Sequence, residues 1–291
     1  MAYLILSDFK KLIQTDNLSA IIGADFTILD QMKLAAQTEV TSYLTQKYDC
    51  SREFTDTLLW NRSISYKGGQ RVYLDADTYV PATAYTANNL TLYAGNIYIC
   101  TTSTTGPFDA TKWTLIGAQY AMFYVTLPYP EFNYGTIYSI GTQTWWKDKI
   151  YTARIATLIY SHETMLNINS QSRTQNFAPD DITDGLKYWG TGTAYTVAAG
   201  TLPTDTTKWT AGDNRNQQLV NYCIDVALYT VHSRIAPRNI PELRVKRYDD
   251  VIKWLKNVAQ GKEITAAMPL IQPSQGMRIR WGGDVKRINN Y

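Results

Sequence analysis

Hydrophobic positions along the chain follow two rhythms, and the switches between them divide it. From Thr27 to Tyr48, Ile28, Leu29, Met32, Ala36, Val40, Tyr43 and Leu44 recur at spacings of three and four. That period predicts an amphipathic helix of about six turns. Ahead of it, Ser7 is expected to cap a short helix running through Asp8–Ile13. From about Asn61 to Thr126 the period falls to two. The runs Arg71–Leu74, Leu90–Tyr93 and Ile97–Cys100 are parted by Gly68-Gly69, Asn88-Asn89, Gly95-Asn96 and Gly106-Pro107, which predicts short antiparallel strands. Leu127-Pro-Tyr-Pro-Glu is expected to be a loop, because proline cannot donate to a central ladder.

The helical period then returns. Ile150, Tyr151, Ile155, Leu158, Ile159, His162, Met165 and Leu166 predict a helix over Lys147–Leu166, followed by a polar loop to Pro179. A second strand-like, Gly/Thr-rich stretch covers 186–212. Asp213 is expected to cap a helix with the stripe Leu219, Cys223, Val226, Ala227 and Thr230, ending before Pro237. The last helix is predicted over Pro241–Gln260. Proline suits its first turn, Glu242 faces the positive helix end, and Gly261 provides a left-handed stop. Its stripe is Tyr248, Val251, Ile252, Leu255, Val258 and Ala259, with Asp249 and Lys253 paired at i,i+4 on the outer face.

Helices thus surround strands, and an internal repeat explains the interruption. Thr83-Ala-Tyr-Thr recurs as Thr193-Ala-Tyr-Thr, and Pro107-Phe-Asp-Ala-Thr-Lys-Trp-Thr recurs as Pro203-Thr-Asp-Thr-Thr-Lys-Trp-Thr. The chain therefore reads as α+β: a helical core of about four to five helices, holding two inserted small antiparallel β modules. The core is discontinuous, over 1–60, 120–185 and 213–268. The inserts are a whole module at 61–119 and a truncated one at 186–212, and 269–291 is a C-terminal tail.

Composition sharpens this picture. Twenty-two tyrosines and only 18% charged residues favour sheets and protein contacts over a charge-solubilised monomer. A net charge of +3 is too small to argue for general nucleic-acid binding. Arg278, Arg280, Lys286 and Arg287 nevertheless crowd the end of the chain, interleaved with Met277, Ile279, Trp281, Val285 and Ile288. Such a segment could meet phosphates or an acidic groove, or remain a solvated terminus. The interleaving favours addition as a strand to a neighbouring subunit, with Arg278, Arg280, Trp281, Lys286 and Arg287 as docking residues. Cys50, Cys100 and Cys223 are scattered and odd in number, which fits reduced thiols. No run approaches the ~20 apolar residues of a membrane helix, and the start has no basic signal-peptide region.

Catalytic chemistry finds no constellation. His162 and His232 each sit on a helical stripe among apolar neighbours, and no nucleophile-elbow, zinc or phosphate-loop motif occurs. Asp180, Asp181 and Asp184 form the one acidic cluster, and a turn or helix start accounts for it as well as a metal does. No enzyme, cofactor or metal is expected. Tyr85, Tyr93, Tyr98 and Trp113 fall within a module too small to fold on a large core. They are either that core or platforms for a sugar ring or a partner; Trp113 and Tyr98 suit the core, and Tyr85 is open between the two. Trp209 is the counterpart of Trp113 in the second copy.

Two stretches resemble a known family. Leu34-Ala-Ala-x-x-Glu39-Val-x-x-Tyr43-Leu-x-x-Lys47-Tyr48-Asp is similar to the N-terminal helix of Mu-like phage head-to-tail connector proteins. Ile240-Pro-Glu-Leu-Arg-x-x-Arg-Tyr248-Asp-Asp-x-Ile-Lys-Trp254-Leu-Lys-x-Val-Ala-Gln-Gly261-Lys resembles their last helix. The Tyr/Thr-rich style is similar to neck ring proteins of crAss-like phages. The first insert resembles small carbohydrate-binding modules attached to chitinases, through Tyr85, Tyr98, Gly106-Pro107 and Trp113. The resemblance implies a non-enzymatic virion protein of the neck, made in the host cytoplasm. It would form a ring, usually twelvefold, between portal and tail or other neck ring proteins, with DNA only as cargo in the channel and fibres as further partners of the inserts. The alternative is a carbohydrate-binding tail or fibre-associated virion protein, in which Tyr85, Tyr98, Trp113 and Trp209 stack on glycans.

Overall fold

The computed structural model describes residues 3–23, 25–133, 136, 138–155, 179–180, 188–235, 238–263 and 268. The fold is mixed α+β. Among the described residues there are six α-helices: α1 (Leu6–Phe9), α2 (Thr15–Ile22), α3 (Phe26–Leu44), α4 (Cys50–Glu53), α5 (Gln217–Ile235) and α6 (Glu242–Ala259). The strands are β1 (Thr57–Leu59), β2 (Tyr66–Lys67), β3 (Arg71–Tyr73), β4 (Leu90–Tyr93), β5 (Asn96–Cys100), β6 (Trp113–Ala118), β7 (Met122–Val125), β8 (Gln143–Trp146), β9 (Lys149–Thr152), β10 (Thr193–Ala194), β11 (Thr196–Val197) and β12 (Trp209–Ala211).

The long helices α3, α5 and α6 pack on one another, with α1 and α2 against α5. This central position widens the apolar stripe of α5: Leu219, Val220, Cys223, Ile224, Val226, Ala227, Leu228 and Val231 are all buried. Asn216 caps α5, its Oδ1 accepting from the backbone N–H of Gln218 at 3.0 Å and of Leu219 at 3.3 Å. Asp213, expected in that role, instead holds Arg215. Ser7 likewise lies inside α1; the carboxylate of Asp8 takes the N–H of Ile5 at 2.9 Å. Asp25 caps α3, which ends at Leu44, one turn short of the expected Tyr48. The close of α6 matches its sequence. Gly261 adopts φ +75°, its N–H bonds Val258 O at 3.0 Å, and the N–H of Lys262 reaches Asn257 O at 2.9 Å, which completes a Schellman motif.

A four-stranded sheet in the order β1-β3-β7-β12 lies at the centre of the β part, with β1 parallel to β3 and the other pairs antiparallel. Strands β4-β5-β6 form a meander set into the β3–β7 connection. Leu74 N–H bonds Ala121 O at 3.0 Å and Tyr120 N–H bonds Leu74 O at 2.8 Å across the root of that insert. Within the expected 61–119 insert, β2 and β3 belong to sheets other than the meander. The strands of the second copy, β10, β11 and β12, pair with β9, β2 and β7, in three different sheets. One apolar core serves both copies: Val72, Leu74, Ile97, Ile99, Ile116, Phe123, Val125, Val197 and Trp209 pack together.

The helix expected over Lys147–Leu166 is corrected over its described part. Residues 143–152 form the β8–β9 hairpin, with Trp146 opposite Lys149, and 156–166 lie outside the described residues. Lys147 and Asp148 both take positive φ, +43° and +68°, the conformation that matches a two-residue turn to strand twist. Ile150 and Tyr151 satisfy a helical stripe on paper, but the aromatic and β-branched run around them pairs as strands. The Leu127–Glu131 stretch is strand-free, as its prolines require.

A local device recurs in the β part. The backbone N–H of Asn61 donates to the Tyr66 hydroxyl at 2.5 Å, that of Val80 to Tyr85 at 2.9 Å and that of Asn133 to Tyr138 at 2.7 Å. Each loop spans the same interval and starts just after an aromatic residue: Trp60, Tyr79 or Phe132. Tyrosine abundance is thus partly an architectural requirement, the phenol closing loops that no ladder satisfies.

Candidate assembly interface

The residues shared with the connector resemblance face one another across the helical layer. Tyr248 of α6 donates its hydroxyl proton to Glu39 Oε1 of α3 at 2.7 Å and stacks on Tyr229 of α5, with centroids 4.1 Å apart. Burial, and then the Glu39 carboxylate, push the Tyr248 phenol well above its ordinary range. Arg244 and Arg247 both approach Asp225 Oδ1, at 3.7 and 3.4 Å, and Trp254 packs on Tyr222. Burial raises the Asp225 carboxyl, against the pull of both guanidinium groups. These motif side chains hold three helices in register and are not an open site.

Where the helical and β layers meet, polar groups are buried in mutual bonds. The Arg215 side chain is fully buried and donates to both Asp8 oxygens, at 2.7 and 2.8 Å. It also donates to both oxygens of Asp213, each at 2.8 Å, and to Tyr3 O at 2.8 Å. Burial opposes charge on Asp213, yet these bonds outweigh it and hold the carboxyl at about 2. Beside it, Arg71 donates to Asn214 Oδ1 at 2.7 Å and to Glu53 O at 2.6 Å. Glu53 Oε1 takes the Tyr3 hydroxyl at 2.5 Å and the N–H of Asn216 at 2.7 Å. Tyr3, Asp8, Glu53 and Arg71 were not singled out by sequence reasoning. Their partners lie up to 213 residues away, so no local pattern marks them. The cluster can clasp two layers; its donors and acceptors are engaged with each other.

The aromatic residues separate into two places. Tyr85, Tyr98 and Trp113 come together on one face of the meander with Tyr79 and Phe108. Tyr85 lies edge-on to Trp113 at 5.2 Å and Tyr98 to Phe108 at 5.1 Å. Trp209 is elsewhere, in the shared core against Tyr66 at 5.2 Å. With 6% and 1% exposure, Trp113 and Trp209 are interior side chains without an open ring face. Tyr85 and Tyr98 are half-buried. The repeated Asp-x-Thr-Lys-Trp-Thr segment has one geometry in both copies. Asp109 accepts from the N–H and hydroxyl of Thr111 at 3.1 and 2.7 Å, and Asp205 from those of Thr207 at 3.0 and 2.7 Å.

Of the acidic cluster, Asp180 takes the Trp146 indole N–H at 2.6 Å and Lys147 at 2.8 Å, while Asp181 and Asp184 lie outside the described residues. His232 bonds Leu228 O at 2.8 Å along its own helix; His162 is not among the described residues. Among the described residues, no group of three or more His, Cys, Asp or Glu could hold a metal ion. No described helix is long and apolar enough to cross a membrane. The docking residues Arg278, Arg280, Trp281, Lys286 and Arg287 lie outside the described residues.

Residues 213–270 match the family model described as Bacteriophage Mu, Gp36. The match starts at the Arg215 clasp, covers α5 and α6 and passes the Schellman stop, and it points to a bacteriophage structural protein. No curated protein and no solved structure matches the chain.

Proposed function

We propose that this chain is a non-enzymatic head-to-tail connector: one subunit of a ring, twelvefold as the resemblance implies, joining the portal to the tail and extending the DNA channel. The observation that carries the reading is the Gp36 match over 213–270, which falls on the α5–α6 pair at the heart of the helical layer. A helical layer clasped firmly to a β layer suits a passive ring subunit, which must transmit load without rearranging. The meander, set into the β3–β7 connection, leaves Tyr93 and Leu115 exposed, where fibres or neighbouring rings could meet it.

Electron microscopy of the full-length protein mixed with the cognate portal tests this. The expected result is an added ring, coaxial with the portal, whose density fits the helical layer. Protein that never joins the portal, or that is found on fibres in intact particles, overturns the reading. The burial of Trp113 and Trp209 supports the connector reading over the carbohydrate-binding alternative.

A further inference from the structure

The geometry points to a docking groove for the C-terminal segment of a second copy of this chain, received beside β1. Its premise is the ring-subunit reading above.

A groove of about 1400 Å³ runs between α3 and β1. Four large apolar side chains line it while exposed to solvent: Phe26 at 42%, Leu34 at 55%, Leu59 at 48% and Ile64 at 41%. Eleven large hydrophobic residues are exposed among the described residues, so more than a third converge on this one surface. Such a concentration marks an interaction site in a way scattered apolar residues do not. The groove is also bordered by a strand whose outer edge has no partner strand among the described residues. β1 is the edge of the β1-β3-β7-β12 sheet, and Trp60 N–H turns inward to Tyr73 O at 2.9 Å. Alternation therefore aims the N–H and C=O of Leu59 away from β3, where they can accept another strand. Trp60 lines the same groove with a buried ring.

The chain itself carries a segment of the required pattern. Met277-Arg-Ile-Arg-Trp281 alternates three apolar residues with two arginines, so that an extended strand shows one apolar face to the groove and one basic face to water. Residues 269–291 follow the last described residue, Met268, which is buried in the helical core. Fully extended they reach roughly 75 Å, more than the roughly 50 Å breadth of a compact chain of this length. They are long enough to cross to the next subunit. A tail in the groove of its neighbour is a heterologous contact, which closes into a ring when the rotation permits.

The test places a photo-reactive benzophenone amino acid at Leu59 of the full-length protein. Light and isotope-heavy chains are mixed, allowed to assemble and irradiated. The expected products are covalent ladders in which mass spectrometry finds light–heavy peptides joining position 59 to residues 277–281. The double variant Ile279→Asp, Trp281→Ala should reduce that cross-link by about tenfold or more, the scale on which interfaces lose binding with two buried anchors. It should fold as the parent does, judged by circular dichroism. Cross-links confined to one chain show that a tail covers its own groove and overturn the inference, as do ladders that survive deletion of 269–291. Absence of any cross-link to 277–281 overturns it as well. Rings seen by electron microscopy in the same failing sample would leave the connector reading standing, so the two failures are distinguishable.

Discussion

Arg215 is fully buried and serves two carboxylates at once, the buried Asp8 and the partly exposed Asp213, so its removal and theirs differ in consequence. Arg215→Met would leave the buried Asp8 with only Lys11, 3.5 Å away at the surface, as a counter-charge. Urea unfolding at pH 7 should show a loss of about 3–5 kcal/mol, the range for breaking a buried pair; a loss under about 1 kcal/mol would show that water reaches the cluster. Protons test the same group. Asp213 is held at about 2 in the folded chain, below the ordinary 3.8. Its contribution, discounted for solvent screening to about 1 kcal/mol, is therefore present above pH ~4 and lost as pH falls through about 2. The acid limb of a stability–pH curve should flatten in Asp213→Asn. None of this was legible in the sequence. An aspartate ahead of a helix reads as its cap, and only the fold reveals that Asn216 does the capping, because Asp213's true partner depends on Asp8 far back in the chain.

At the scale of single elements, α6 was readable almost to its ends because local rules alone fix it: proline before the first turn, an apolar stripe, and glycine where φ must be positive. Gly261→Ala should cost about 1 kcal/mol in thermal or urea melts. The site is otherwise open, Lys47 Nζ at 4.0 Å being the nearest atom, so the cost is conformational, and a neutral result would remove the Schellman stop from the account. Tyr248→Phe should cost about 1 kcal/mol by leaving Glu39 without its donor. The β8–β9 hairpin shows the opposite case. Its turn residues, Lys147 and Asp148, carry none of the glycine that usually announces left-handed backbone. Short strands also offer too few positions for a period of two to outvote a chance helical stripe. The repeat was visible and its turn geometry is the same in both copies, but strand partners are a tertiary matter, and the second copy distributes its strands among three sheets.

For the molecule as a whole, the clasp at Tyr3, Glu53, Arg71 and Asn214 decides how the two layers respond to stress. Trp60, Trp113, Trp145, Trp146, Trp189 and Trp209 belong to the β part, whereas the long helices dominate far-ultraviolet dichroism. Tryptophan fluorescence and dichroism should therefore report one common unfolding midpoint in the parent protein. In Arg71→Met, which cuts the bonds to Glu53 and Asn214, the fluorescence midpoint should fall below the dichroism midpoint. Coincident midpoints in that variant would show that apolar contact alone couples the layers.

The meander joins the rest of the chain at a narrow root, where Leu74 bonds Ala121 and Tyr120, and the Gln119 side chain donates to Asp75 at 2.9 Å. Such a root is a socket. Whatever leaves at Asp75 returns at Gln119, so the β3–β7 hairpin can carry a different passenger provided that it refills the shared core. The passenger need only bring an apolar underside to replace Ile97, Ile99 and Ile116 over Leu74 and Phe123. The same opening that accepted this appendage could accept an enzyme, an epitope or a fluorescent reporter, making the chain a chassis for cargo exchange.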